Sequence, residues 1–318
     1  MSDTANQTTR SLALHLGLIA VLFALGFLLP AYHQGNLARI LVLATYAIGY
    51  NVLFGYTGLL SLGHAMFFGA GMYGLGLAMQ HGGVPALPAL FVGILAAAAL
   101  SAVVAVLALR TLGVAFMIVT LMFAQTGFLT VLYFGTWTRG DEGFVIQQGV
   151  RQIAGFDLSD PTTRYMAALL LFSAALLATA RMMQVRFGSV LIAIRENEER
   201  TRMLGYNVFR HKFLAVLISG TISGAAGAAY GLLFGYVGAT FTSVQYSIFP
   251  LLWVLLGGAG TTIGPFIGTF FTFYLIDYAS DLTNAYMLVV GLVLVLLVLF
   301  ARAGIMGEIR RRWVRWLP

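Results

Sequence analysis

No cysteine occurs in this chain, so disulfides, thiolate metal sites and cysteine nucleophiles are excluded. Charge is nearly as scarce: Asp, Glu, Lys and Arg make up 9% of the 318 residues, against about 25% in soluble domains. Residues 40–109 carry none of these four types, and residues 213–276 carry none either. Lysine appears once, as Lys212, and no G-x-x-x-x-G-K-[ST] stretch is present, so the chain has no P-loop of its own. The apolar runs also lack Asp and Glu, apart from Asp277 near a run end. A proton- or sodium-driven carrier would usually hold its coupling carboxylate there. No grouping of carboxylates and histidines points to acid–base or metal chemistry, so no catalytic or metal-ligating residue is assigned.

What is present is apolar: 60% hydrophobic residues and a mean hydropathy of +0.90. At about 20 residues per crossing, each uncharged stretch holds two or three spans. The runs are continuous and do not alternate with period two, which favours a helical bundle over a barrel. The fold class is therefore all-α, a polytopic helical membrane protein of about ten transmembrane helices with broken central segments. Spans are expected near 12–30, 37–54, 58–79, 86–109, 112–133, 165–182, 212–236, 244–260, 261–278 and 284–301. Eight full spans with two re-entrant segments fit the same pattern. The first run follows Arg10 and lacks an A-x-A cleavage pattern, and is read as a retained helix rather than a signal peptide.

The net charge of +7 resides beside apolar runs and is no sign of nucleic-acid affinity. Residues 181–212 hold seven basic residues, and the tail adds Arg302, Arg310, Arg311, Arg312 and Arg315. The positive-inside rule places both regions, and both termini, in the cytoplasm. Residues 1–302 are expected to form one transmembrane domain, with a polar insertion at 186–206. Residues 303–318 form a basic tail whose Trp313 and Trp316 would anchor it to interfacial lipid.

Two glycine-rich stretches interrupt the apolar pattern, one in each half of the chain. Residues 55–74, GYTGLLSLGHAMFFGAGMYG, contain six glycines, with Ser61 and His64 near the middle. Residues 256–271, LGGAGTTIGPFIGTFF, contain Gly257, Gly258, Gly260, Gly264 and Pro265. Glycine costs about 1 kcal/mol relative to alanine inside a helix, and proline disfavours helix at the residue before it. One reading is close helix packing through small residues, at Gly69, Gly74, Gly220 and Gly224 for example. The other is a helix broken at Gly58–Gly63 and again near 257–265. Freed backbone groups, with Gly58, Ser61, Gly63 and His64, would then face a polar path between the two halves.

The insertion RFGSVLIAIRENEERTRMLGYNVFRHK, residues 186–212, holds nine of the chain's charged residues. It predicts a helix from about 189 to 204, closed by Gly205. Leu191, Val190 and Ile194 would form its apolar side, with Arg195, Glu196, Glu198, Glu199 and Arg202 free for solvent or a partner. An ordinary loop with i,i+4 pairs such as Glu198–Arg202 is the plainer reading.

Three blocks, NVLFGYTGLLSLGHAMFFGAGMYG, AIRENEERTRMLGYNVFRHKFLAVLISGTISGAAGAAYG and LLGGAGTTIGPFIGTFF, resemble in order the permeases of branched-chain amino acid ABC transporters. The resemblance covers roughly residues 37–301, and GTWTRGDEGF at 135–144 is similar to the family's external loop. It implies an importer subunit of the bacterial inner membrane, paired with a second, related permease. Two cytosolic ATP-binding subunits would hydrolyse ATP-Mg, no cofactor residing in this chain, and a periplasmic binding protein would deliver the solute. The resemblance assigns Arg195, Glu196, Asn197, Glu198, Glu199, Arg202 and Gly205 to the ATPase-coupling helix. Gly58, Ser61, Gly63, His64 and the second glycine cluster fall in the translocation pathway. Arg200 and Thr201 depart from the small residues common in the family. Cargo would be a branched-chain amino acid or a similar amino-acid or amide solute. The alternative is an ATP-independent channel or facilitator for a small neutral solute such as urea.

Overall fold

The apolar runs form long helices, and these stop where a glycine takes positive φ, as at Gly58 and Gly258, or where Pro30 or the Asn197 side chain redirects the chain. The computed structural model describes residues 2–283, 285–300 and 303–312. Helices α1 (Ser2–Leu28) and α2 (Ala31–Asn51) are separated at Pro30, and α2 continues as one wide π-turn, Val52–Tyr56. After a non-helical stretch come α3 (Ala65–Gln80), α4 (Ala86–Ala108), α5 (Val114–Tyr133) and the single turn α6 (Gly135–Thr138). Strands β1 (Phe144–Val145), β2 (Gln152–Ile153) and β3 (Phe156–Asp157) lead into α7 (Pro161–Gln184). Then follow α8 (Arg186–Glu196), α9 (Glu198–Met203), α10 (Val208–Phe234) and β4 (Tyr236–Val237). The described chain closes with α11 (Val244–Gly257), α12 (Gly264–Leu282), α13 (Tyr286–Phe300) and α14 (Gly304–Arg312).

Among the described residues six helices are long and apolar enough to cross a membrane, in α1, α2 with its π-turn, α4, α5, α7 and α10. Four more expected spans correspond to α3, α11, α12 and α13, of 16, 14, 19 and 15 residues. At 1.5 Å per residue, α3, α11 and α13 reach only about 21–24 Å, short of the ~30 Å hydrocarbon core. For α3 and α11 the reason is visible: each abuts a break. The bundle is thus the expected one, with its broken elements shorter than full spans.

Burial ranks the helices. In the α2 span 83% of the apolar window lies inside, against 17% in α5, so α2 is central and α5 faces outward. Lipid offers no hydrophobic drive between helices, so close approach through small residues has to supply the contact. Helices α3, α4 and α10 meet in this way. A Cβ at Gly71 would overlap the Gly224 carbonyl, one at Gly227 the Phe68 carbonyl, and one at Gly224 the Ala97 side chain. The packing reading therefore holds for Gly69 and Gly220 as well, which would strike Thr242 and Ser101.

The connection between α5 and α7 is ordered by two short ribbons. Strand β1 pairs antiparallel with β4, Phe144 opposite Val237, and β2 pairs with β3 through an Ala154–Gly155 turn with both φ angles positive. The buried Arg151 donates Nη1 to the Leu233 carbonyl at 3.3 Å and covers the Gly235 cap of α10.

The insertion differs from its expected form. It is two helices, α8 and α9, bent at Asn197, not one helix over 189–204. Asn197 is extended (φ −160°, ψ 104°), and its side-chain oxygen accepts from the Arg200 N–H at 2.9 Å. That Asx cap competes with helix continuation and restarts the chain in a new direction. Gly205 follows α9 with φ +88°, as its expected terminator. Trp313, Trp316, Arg302 and Arg315 lie outside the described residues. The preceding α14 packs on α11 and α12, with Gly304 and Gly307 set against Gly258.

Candidate translocation and coupling site

The first break spans Thr57–His64, as the glycine spacing predicts, and α2, α5 and α11 each contribute a polar group to it. Gly58 turns the chain at φ +75°. The freed backbone is paired by side chains from neighbouring helices: Tyr50 donates to the Ser61 carbonyl at 2.9 Å, and Thr120 accepts from the Leu62 N–H at 3.2 Å. Ser247 accepts from the Ala65 N–H at 2.9 Å. Gly63 is required by crowding, since a Cβ would overlap the Thr120 carbonyl. Unpaired backbone in hydrocarbon costs several kcal/mol per group, so these hydroxyls are what permits a break at this depth.

Ser61 and His64 are both buried, at 1% and 0% exposure, so neither lines an open channel in this chain. His64 Nε2 lies 2.8 Å from Ser219 Oγ, and Ser219 Oγ donates to the Gly49 carbonyl at 2.5 Å. A hydroxyl has one proton, so His64 carries its hydrogen on Nε2 and presents Nδ1 as a bare acceptor. Nδ1 has no partner among the described residues. Tyr50 and Phe67 meet the imidazole edge-on at 4.8 and 5.2 Å, and Tyr46 stands 6.5 Å away.

The second break separates α11 from α12 and runs Gly258–Ile263. Gly258 and Gly260 adopt φ +117° and +77°, and Pro265 sits in the first turn of α12, where its missing N–H has no helical partner to lose. Gly257 is a packing residue: a Cβ there would overlap the Gly264 carbonyl.

Two residues not anticipated from sequence hold this segment. Asn51, 1% exposed at the end of α2, donates Nδ2 to the Thr261 carbonyl at 2.9 Å and accepts from the Gly260 N–H at 3.0 Å. Its carboxamide therefore clasps the second break to the helix that ends in the first. His15 of α1, 1% exposed, places Nε2 2.7 Å from Thr262 Oγ1. Each was visible as a polar residue within an apolar run; its partner, more than 200 positions away, was not.

The two breaks also meet the insertion. Arg195, at the end of α8, donates Nη1 to the Gly55 carbonyl. A Cβ at Gly58 would lie 2.9 Å from Arg195 Cγ, and one at Gly260 would lie 3.0 Å from Arg195 Nη1. Arg195 is exposed, as expected of a residue available to solvent or a partner, and its guanidinium also reaches back to the Gly55 carbonyl, a strong donor meeting a free acceptor. Glu196 and Glu199 remain exposed. Glu198 pairs with Arg202 at 3.3 Å, as its i,i+4 spacing predicts, and with Lys212 at 2.5 Å. That second pair ties α9 to the base of α10. Apolar Val190, Leu191 and Ile194 are buried.

Comparisons with known proteins agree with this architecture. The family model for the branched-chain amino acid transport system / permease component matches residues 34–299. The high-affinity branched-chain amino acid transport system permease protein LivM of Escherichia coli (strain K12) is 27% identical over 286 residues, covering 83% of this chain and 67% of that protein. LivM of Salmonella typhimurium (strain LT2) matches to the same extent. A probable LivM of Methanocaldococcus jannaschii is 35% identical over 89 residues, 28% of this chain and 26% of that protein. No solved structure matches. The chain, a multi-pass helical bundle matched over most of its length, belongs to the permease component family of branched-chain amino acid transport systems.

Proposed function

We propose that this chain is the transmembrane permease subunit of an ATP-driven ABC importer, taking branched-chain amino acids or similar small amino-acid or amide solutes from a periplasmic binding protein. A second, related permease completes the path, and two cytosolic ATP-binding subunits supply the hydrolysis. The membrane is the bacterial inner membrane, with both termini and α8–α9 in the cytoplasm. The observation that carries the reading is the Arg195 contact with Gly55. It links a charged insertion of the kind an ATPase could grip to the backbone of a broken central helix. A passive channel has no need of such a link.

In operation, ATP-driven closure of the cytosolic subunits displaces α8 and α9. Arg195 transmits that displacement to Gly55 and Gly58, and Asn51 makes the second break move with the first. Ser61 and His64, buried in this arrangement, become accessible as the breaks shift, and the bare Nδ1 of His64 accepts from the passing solute. No charged residue holds the zwitterion there, so release needs little work. Replacement His64→Ala should lower uptake roughly tenfold or more, since the acceptor and the edge-on aromatic packing are both removed. Assembly should persist, and normal uptake by the variant would remove His64 from the pathway.

Purification of the tagged chain from its native membrane tests the assignment directly. Co-purified ATP-binding subunits and a second permease are expected. A chain that emerges alone and conducts urea in ATP-free vesicles establishes the channel alternative instead.

A further inference from the structure

Between α2, α11 and α12 lies a pocket of about 240 Å3, slightly smaller than drug-sized ligand sites of about 300–1,000 Å3. Its wall is aromatic: Phe249 stacks on Trp253 at 5.8 Å, Tyr246 meets Phe249 edge-on at 5.8 Å, and Phe273 closes the α12 side. Asp277 lines the same pocket and is half-buried. It accepts a long 3.5 Å hydrogen bond from Tyr32, and it forms no ion pair among the described residues. A carboxylate left without a cation beside aromatic faces is a setting that attracts an ammonium group.

Arg39 lies one helical turn before the pocket residue Leu43 on the same face of α2. Its guanidinium sits 5.4 Å from the Phe234 ring centroid and has no carboxylate partner among the described residues. The pocket adjoins the first break as well: Tyr246 stacks on Tyr46 at 6.1 Å, and Tyr46 flanks His64. Asp277 follows Gly264 by 13 residues, about 20 Å along α12 and away from Arg195, which places it on the side opposite the insertion.

From these contacts we infer that the pocket binds a zwitterionic α-amino acid with an apolar side chain on the outward side of the membrane, before it reaches His64. Asp277 takes the ammonium, Arg39 the carboxylate, and the rings of Tyr246, Phe249 and Trp253 the side chain. The inference rests on the amino-acid importer reading and adds a site to it. It makes the permease itself selective for the charged ends of its cargo.

The test measures binding of radiolabelled leucine to the purified full chain in lipid nanodiscs, with 4-methylpentanoate and 3-methylbutylamine as competitors lacking the ammonium and the carboxylate. Saturable binding is expected, with leucine the strongest ligand. Asp277→Asn should weaken leucine about tenfold to a hundredfold and erase its advantage over 4-methylpentanoate. Arg39→Gln should erase its advantage over 3-methylbutylamine. Asp277→Glu, keeping the charge, should retain measurable binding and so exclude misfolding. Equal competition by all three ligands, or leucine affinity unchanged in both variants, overturns the proposal and marks a non-specific apolar groove. Leucine uptake by the assembled complex, with no binding to the isolated chain, sinks the pocket and leaves the importer standing. A complex that transports no amino acid sinks the reading on which the pocket depends.

Discussion

In the proposed importer, replacing Arg195 with alanine is expected to leave ATP hydrolysis in place while solute uptake falls about tenfold to a hundredfold. The range follows from the worth of a charged hydrogen bond, about 1.5–3 kcal/mol, which the alanine variant cannot form. Arg195 reaches from the insertion to both breaks, through the Gly55 carbonyl and the close approaches to Gly58 and Gly260. Its removal separates motion of α8 from motion of the central helix without touching the exposed Glu196 and Glu199. Arg195→Lys should fall between wild type and alanine, because a lysine keeps the charge but cannot fill the planar fork. Uptake and hydrolysis measured on the same proteoliposomes decide the matter. If the ratio of solute moved to ATP consumed stays at the wild-type value in Arg195→Ala, the proposed transmission is wrong. A parallel fall in both would place Arg195 in docking rather than in transmission.

The second large effect is on stability. Asn51→Leu keeps the volume of the side chain but leaves the Gly260 N–H and the Thr261 carbonyl without their partner. Each buried, unpaired group costs about 1–3 kcal/mol, so the pair costs about 2–6 kcal/mol. That is a large fraction of the ~5–15 kcal/mol that holds a typical domain folded. Thr45→Val supplies the control. Thr45 is equally buried on α2, but its hydroxyl only bonds back to the Leu41 carbonyl of its own helix, so the change should be nearly neutral. Thermal unfolding of both variants in one detergent, at one scan rate, gives the comparison. The apparent unfolding temperature should drop by several degrees for Asn51→Leu and hardly at all for Thr45→Val. Equal temperatures for Asn51→Leu and wild type would dissolve the clasp. Coupling of the second break would then rest on the direct approach of Arg195 to Gly260 alone.

Both effects come from contacts across the chain, and that marks the limit of what its residues announce. The breaks at Gly58–Gly63 and near 257–265 were legible because glycine and proline act through their own backbone, whatever surrounds them. Burial of Val190, Leu191 and Ile194 was legible from their spacing on one helical face. The bend at Asn197 was missed because an Asn inside a charged helix reads as solvated until its side chain is seen capping Arg200. The contact of Arg195 with Gly55 was not legible for a similar reason. A guanidinium in a polar insertion looks free, and nothing local says that a carbonyl 140 positions earlier has lost its helical donor.

Sequence by itself determined the membrane setting, the helical class, the positions of both breaks and the family's block order. These follow from apolar run length, scarcity of charge and local backbone preference, all of which act within a few turns. Only the tertiary structure decided that Asn51 joins the breaks, that Arg195 reaches them and that Asp277 faces an aromatic pocket. Those facts depend on hydrogen bonds and packing between residues distant in the chain. Such pairings are set by how glycine-lined helices come together, and no local preference encodes them.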